Sequence, residues 1–465
     1  MTLPTTEHIA DLTHAELVAL VQELIVAVQR LEAENQQLKA ELAKEPPPPP
    51  TSLNSSQPPA RDVKHNLPAD RKRKKLGPLF GHERNVRPLV DQPDQIIEVP
   101  VAWCPHCDAD LRGVEPRVVV RHQLTELPPV KPVVIETRQP EVVCPNCQRV
   151  TRGVLPEGWE AGRSFGPRLG AMVVYLKHEQ HLSYERVKQL CHDLFGVAIS
   201  EGGASAILQR AGEAAQPVAT AIGVQVSHSA VIGSDETSAR VAGRTWWQWV
   251  FLSVVGVYYL IRPSRGAKVI AEVMGGQRAE CWVSDCFSAQ LKAPAQRRQL
   301  CLAHQLRDVQ RVIEQGPRSY WAVALQALFR EAIHLGKRRA ELSPQGYTRR
   351  VTQVERRLDG LLQQRVRSPE ARRLWARYRL HREHLLLFLH SPGVPPDNNA
   401  CERALRPSVI HRKVTNGFRS EWGAHAYAAL ATIIETAKLQ GQNVFDVLLN
   451  LMGPSVLPFL APQNP

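Results

Sequence analysis

Asp235 and Asp285 each follow a short apolar run, Ala230-Val231-Ile232-Gly233-Ser234 and Cys281-Trp282-Val283-Ser284, that reads as a β-strand. On neighbouring strands the two carboxylates converge, which is unfavourable unless a cation lies between them. Oxygen-only ligands suit Mg²⁺ or Mn²⁺. Two such ions can activate a water or hydroxyl and stabilise the leaving oxygen of an in-line phosphoryl displacement. A third carboxylate normally completes such a site, and the candidate is Glu402, in Asp397-Asn398-Asn399-Ala400-Cys401-Glu402-Arg403-Ala404-Leu405-Arg406-Pro407. Asp397 can cap this helix and so fix Glu402 on one face. Arg406, Arg412 and Lys413 follow, placed for the phosphates of a nucleic-acid backbone.

Taken singly, each acid is a turn or surface residue. Their order carries the weight: strand and Asp, hairpin, helix, strand and Asp, long helical insert, then a helix with Glu and a basic tail. That is the outline of an RNase H-like nuclease core. Glu236 adjoins Asp235, but on a strand it points to the opposite face. His304 with Cys301 offers two ligands only, so a core-facing pair beside the site is expected. His304 or Arg307 can still touch a scissile phosphate.

A second constellation is Cys104-Pro-His-Cys107 and Cys144-Pro-Asn-Cys147. Each Cys-x-x-Cys turn aims two thiolates at one point, and Cys104, Cys107, Cys144 and Cys147 together complete a tetrahedral zinc site. The runs 117–122 and 132–137 between them read as strands, giving a zinc ribbon with a long middle. His106 or His122 can substitute for a ligand. The chain has nine cysteines, an odd count. With the other five scattered, metal binding is favoured over a disulfide framework.

The elements that must position these groups can be read in outline. Leu17, Leu24, Leu31 and Leu38 fall seven apart in a helix from about 12 to 44. Taking them as d puts Val21, Val28, Asn35 and Leu42 at a, the pattern of a parallel two-stranded coiled coil with Asn35 fixing register. Glu34 at g can reach Lys39 at e of the partner. Pro46–Pro50 ends the helix and a polar, Pro-rich linker follows. It contains Arg71-Lys72-Arg73-Lys74-Lys75, a run that either contacts phosphates without reading sequence or is simply solvated. Residues 164–222 read as helical. Tyr184–Phe195 is broken by Gly196-Val197, and Ser200 can cap a helix running to about Arg210, an outline compatible with a helix-turn-helix. Residues 240–244 read as a turn. Trp246 to Ile261 reads as one long strand or as two with a break near Gly256, and Gly266–Met274 as a helix. Residues 316–392 are helical and Arg-rich, able to lie along DNA or to pair with Glu partners.

Several of these segments resemble the transposases of the insertion sequence 66 family. They are Gly233-Ser234-Asp235-Glu236-Thr237, Trp247-Gln248-Trp249-Val250, Ser284-Asp285-Cys286-Phe287-Ser288, Cys301-Leu302-Ala303-His304-Gln305-Leu306-Arg307-Asp308 and Asn398-Asn399-Ala400-Cys401-Glu402-Arg403. The linker run Asn54-Ser55-Ser56-Gln57-Pro58-Pro59 and the order of the segments are similar too. The family's linker usually continues into a glycine-rich stretch, of which only Gly77 and Gly81-His82 remain. The resemblance covers nearly the whole chain. It implies a DDE transposase, in which water cleaves the element's ends and the freed 3′-hydroxyls attack target DNA.

Composition bounds the rest. With 465 residues, 43% of them hydrophobic, the chain can bury several cores, and its net charge of +13, from 58 basic and 45 acidic residues, favours a polyanionic partner. The start shows no basic region followed by an apolar core, and the longest apolar stretch, 249–261, is too short to span a bilayer. A soluble, intracellular protein is therefore expected, and the family resemblance implies a bacterial cytoplasmic, nucleoid-associated one.

The expected architecture is multidomain α/β. It comprises a coiled coil (1–45), a disordered basic linker (46–97), a zinc-binding ribbon (98–155) and a helical DNA-binding domain (156–225). The RNase H-like core follows in two parts, 226–315 and the closing helices 393–436, split by an all-α insertion (316–392), with a tail at 437–465. The expected cofactors are two Mg²⁺ or Mn²⁺ ions and one structural Zn²⁺. The expected partners are DNA (element terminal inverted repeats and target), a second copy through the coiled coil, and accessory proteins of the same element; no membrane is expected. Two rival readings are a nuclease with the same carboxylates but no strand transfer, and a catalytically silent zinc-ribbon DNA-binding regulator.

Overall fold

The computed structural model describes residues 13–42 (with side chains as far as 36), 87–155, 159, 163–315 and 319–453. The linker run 54–59 and the basic run Arg71–Lys75 lie outside the described residues.

Helix α1 (His14–Leu42) is continuous over four heptads. Thr13 and Glu16 cap it, the Thr13 backbone N–H donating to the Glu16 carboxylate at 2.9 Å. Its apolar stripe is uncovered: Val21, Leu24, Val28 and Leu31 are 42–63% exposed.

The chain forms two compact units. The smaller includes residues 64–160 and 184–204. Its regular structure includes a hairpin of β1 (Glu141–Val143) and β2 (Val150–Arg152), an isolated bridge from Trp103 to Asp110, and helix α3 (Tyr184–Phe195), closed by Gly196 at φ +64°. The expected strands at 117–122 and 132–137 do not form. Val118, Val119, Val120 and Val134 are at least 70% exposed, and a β-rich run with neither a partner strand nor a core face has nothing to pair with.

In the larger unit, helix α2 (Pro167–Val174) passes into a π-helical turn (Tyr175–Glu179). Helix α4 (Glu201–Ser227) starts where Ser200 Oγ accepts from the Gly203 N–H, and it runs well past the expected end near Arg210. Ile207, Ala211, Ala215, Ala219 and Val226 hold a buried helical stripe along its whole length, and that burial outweighs the internal Pro217.

The sheet has the order β5–β4–β3–β6–β7, from β3 (Val231–Val241), β4 (Arg244–Leu252), β5 (Val257–Arg262), β6 (Ala279–Ser284) and β7 (Ala295–Leu300). The first three strands pair antiparallel; β3, β6 and β7 pair parallel. β3 does not end at Asp235 as expected. β4 pairs with it from Gly233↔Leu252 to Val241↔Arg244, and the turn is reduced to Ala242-Gly243, both at positive φ. β7 was not expected at all, since Arg297 and Arg298 interrupt its apolar pattern.

Alternating side chains serve the two faces. Trp249, Phe251, Ile232 and Trp282 pack with α5 (Ala267–Met274) and the end of α4. Val250, Tyr259 and Ile261 pack with α10 (Asn399–Thr415) and α11 (Glu421–Leu439). The edge strand β5 is covered by α11: Thr436 and Thr432 accept from the N–H groups of Val257 and Tyr259, each at 3.0 Å.

At the other edge, the buried Gln299 of β7 donates to Leu385 O at 3.0 Å and accepts from Phe388 N at 3.0 Å. This pins the helical insertion, α7 (Tyr320–Lys337), α8 (Pro344–Gln363) and α9 (Pro369–Leu380), to the sheet next to α6 (Leu302–Gln315). A short helix, α12 (Val444–Leu451), follows α11. Among the described residues, no helix is long and apolar enough to cross a membrane.

Candidate active site

The parallel pairing of β3 with β6 stops at Gly233↔Val283. From there β3 follows β4 to one side, while β6 leads on to β7 at the other. A crevice therefore opens at the carboxyl end of the parallel pair, the place where open α/β sheets bind ligands. Asp235 and Asp285 each lie two residues beyond that last pair and so reach the crevice at the same level.

Helix α10 lies over the same face. A Cβ on Gly233 would come within 2.8 Å of Cys401 Sγ and 3.2 Å of Asn398 Oδ1, so only glycine lets the helix approach this closely. Asn398, buried at the helix start, donates from Nδ2 to the Ser234 carbonyl at 2.8 Å. Asp397 accepts from the Asn399 N–H at 3.1 Å, capping the turn one residue ahead. Glu402 is then one turn into α10. It faces Arg307 Nη2 at 3.3 and 3.4 Å and His304 Nδ1 at 3.6 Å, both on α6.

Electrostatically this is an acidic pocket under strain. Burial first, then the adjacent Glu236 carboxylate, then Asp285 and Glu402 push the Asp235 carboxyl up from its usual 3.8 to about 8, against one hydrogen bond from the Glu236 N–H. Among the described residues, oxygens of Asp235, Asp285 and Glu402 do not all lie within 4.8 Å of one another. Ligands of one Mg²⁺ lie at most about 4 Å apart. Acids shared between two ions about 4 Å apart stand farther apart than that. The three carboxylates as they stand are therefore not gathered round one ion-sized point.

Glu236 occupies the opposite face. Its side chain is 2% exposed; it pairs with Arg265 at 2.9 Å and accepts from Gln290 Nε2 at 2.8 Å. Arg265 stacks between Phe287 and Trp247, 4.0 and 4.5 Å from the ring centroids, and Gln290 also accepts from the Trp282 indole. Burial pushes the Glu236 carboxyl up, and the hydrogen bond from Gln290 and the charge of Arg265 hold it back. Sequence reasoning missed Arg265 and Gln290. Gln290 had only its nearness to Asp285 as a signal and Arg265 had none, since neither belongs to a motif with a mechanism of its own.

Arg412 donates to the carbonyl and, at 2.6 Å, the hydroxyl of Ser238, so it ties α10 to β3. Arg406 and Lys413 are exposed on α10. In the insertion, Arg357 pairs with Glu331 at 2.6 Å and Arg382 with Asp359; Arg377 reaches back to Asp308 of α6 at 2.5 Å. Those arginines are engaged with carboxylates of the chain itself.

In the smaller unit the two cysteine pairs form matching knuckles. Cys104 accepts the Asp108 N–H at its carbonyl and Cys144 the Gln148 N–H, with Asp108 and Gln148 both at φ +57°. The N–H groups of His106 and Cys107 hold the Cys104 thiol below its usual range, and those of Cys147 and Asn146 do the same for Cys144. Such donors favour thiolate, the metal-ligating form. No three of the four sulfurs lie within 4.8 Å of one another, so each knuckle stands as half a site.

Comparison with known proteins places these features. A family model described as Transposase IS66 family matches residues 162–426, which hold the sheet, the insertion and all three carboxylates. A stretch of 73 residues is 40% identical to the uncharacterized protein y4qI of Sinorhizobium fredii (strain NBRC 101917 / NGR234); it covers 16% of this chain and 14% of that protein.

Proposed function

The chain belongs to the Transposase IS66 family, and from that premise we propose that it is a DDE transposase with an RNase H-like core, cutting DNA at an element's ends and joining the freed 3′-hydroxyls to a target. The observation that carries this reading is the meeting of Asp235 and Asp285 at the parting of β3 and β6, beneath the helix that bears Glu402. The sheet order, three antiparallel strands continued by two parallel ones, supports the RNase H-like assignment.

Asp235, Asp285 and Glu402 are the residues that hold two Mg²⁺ or Mn²⁺ ions. Bound there, the ions supply an activated water or 3′-hydroxyl and stabilise the leaving oxygen. The raised proton affinity of Asp235 comes from burial among like charges, which a cation held in the pocket would relieve. Arg307 and His304 now face Glu402, and they would be released to meet the scissile phosphate if that carboxylate turned to the pocket. Arg406 and Lys413 line the exposed side of α10 for flanking phosphates, and Arg412 keeps that helix on β3. The basic run Arg71–Lys75 adds contacts that do not depend on sequence.

The knuckles Cys104/Cys107 and Cys144/Cys147 close on one structural zinc, and with the helical segment that follows they recognise the element's terminal repeats. Helix α1 pairs with its copy through Val21, Leu24, Val28 and Leu31, which brings two subunits to two DNA ends.

Pre-cut element ends incubated with a target plasmid and Mg²⁺ test the reaction class. Joined products are expected; nicking without joining would reduce the protein to a nuclease.

A further inference from the structure

Cys301, His304 and Glu402 bring a sulfur, an imidazole nitrogen and a carboxylate oxygen within 4.8 Å of one another. Nothing in the two-ion reading uses the thiol or the imidazole as ligands. The mixture is the wrong one for Mg²⁺, which takes oxygen, and the right one for a borderline ion such as Zn²⁺ or Co²⁺. We propose that Cys301, His304 and Glu402 form an exchangeable site for a zinc-class divalent ion, separate from the cysteine knuckles.

Three observations support it. His304 Nδ1 is buried and has no hydrogen-bond partner, so a nitrogen lone pair or N–H stands unused in the cluster. It lies 3.6 Å from Glu402 Oε1, matching the separation of about 3.4–3.7 Å between two ligands of one tetrahedral ion. Cys301 directly precedes α6, and its sulfur accepts the Asn398 N–H at 3.1 Å, which fixes its place in the cluster. On binding, the thiol proton leaves to solvent and the sulfur donates its electron pair to the ion. Three protein ligands leave the fourth position to water.

Glu402 belongs to both sites, so the zinc-class ion and the proposed Mg²⁺ pair compete for one carboxylate. That competition rests on the two-ion reading; binding at the cluster does not.

The test is Co²⁺ titration of the full-length protein carrying zinc in its knuckles. Wild type is expected to show tetrahedral visible bands and a thiolate-to-cobalt charge-transfer band. Cys301→Ser should lose the charge-transfer band, and His304→Ala should bind about tenfold more weakly or worse. Circular dichroism checks each fold; should Cys301→Ser be unfolded, His304→Ala decides alone. Asp235→Asn should keep the whole cobalt signal even where it abolishes Mg²⁺-dependent cleavage, which separates this site from the two-ion one. Equal stoichiometry and identical spectra for wild type, Cys301→Ser and His304→Ala would overturn the proposal.

Discussion

The side-chain amide of Asn398 is bonded to the carbonyl of Ser234 at 2.8 Å, so the start of the Glu402 helix is fixed to the residue before Asp235 across 164 positions of chain. Gly233, one residue earlier, gives the helix room to come that close. Distance in sequence is therefore no measure of how tightly the two halves of the pocket are coupled.

Gly233→Ala should disturb that coupling directly. The added methyl would meet Cys401 Sγ at 2.8 Å, in a buried contact that can relax only by moving α10. A cost of about 1–3 kcal/mol is expected, and Asn398→Ala should cost about the same through the orphaned Ser234 carbonyl. Denaturant unfolding measures the first effect. The cleavage assay should show a loss of activity larger than the loss of stability explains, since Glu402 moves with its helix.

The raised Asp235 pKa makes a signed prediction. A carboxyl whose folded pKa lies near 8 against 3.8 unfolded keeps its proton in the folded state over that range, so metal-free stability should fall as pH rises from about 4 to about 8. Asp235→Asn should flatten this slope. Mg²⁺ should restore stability most at the upper end of the range, with release of protons, and thermal melts with and without EDTA across pH are the measurement.

Arg265 holds a buried carboxylate. Its removal leaves Glu236, 2% exposed, with Gln290 as its remaining partner. Arg265→Ala should destabilise by up to about 3 kcal/mol, and Arg265→Ala/Glu236→Gln should recover much of that, because the uncompensated charge is then gone. A double-mutant cycle in urea reads the coupling.

The knuckles should hold one zinc per chain through dialysis against a mild chelator. Cys104→Ser or Cys144→Ser should release it, with loss of binding to element ends but little change in the stability of the larger unit. Elemental analysis beside a gel-shift assay separates the two effects. Leu24→Arg/Leu31→Arg on α1 should give a monomer by light scattering if the exposed stripe is a dimer seam.

Much of the sheet was legible because its strands announce themselves. Ile232, Trp249, Phe251 and Trp282 sit in short, nearly continuous apolar runs, and the break at Gly256 marks where β4 yields to β5. Where expectation failed, long-range partners had decided. β3 continues past Asp235 because β4 is there to pair with it, and β7 exists because Gln299 bonds to Leu385 and Phe388, almost ninety positions on. Conversely, 117–122 has the composition of a strand and lacks the partner. The acids at 235, 285 and 402 were visible as residue types in order. The ring-stacked Arg265, the Gln290 bridge and the pairing of His304 with Glu402 were not, since each is a property of packing.

The most direct measurement is a crystal structure of the full chain soaked in Mn²⁺, read by anomalous scattering. The expected result is two peaks about 4 Å apart, ligated by Asp235, Asp285 and Glu402, with Glu402 turned away from Arg307. A pocket without anomalous density at saturating Mn²⁺, or a Glu402 still seated on Arg307 while the aspartates bind an ion alone, would contradict it.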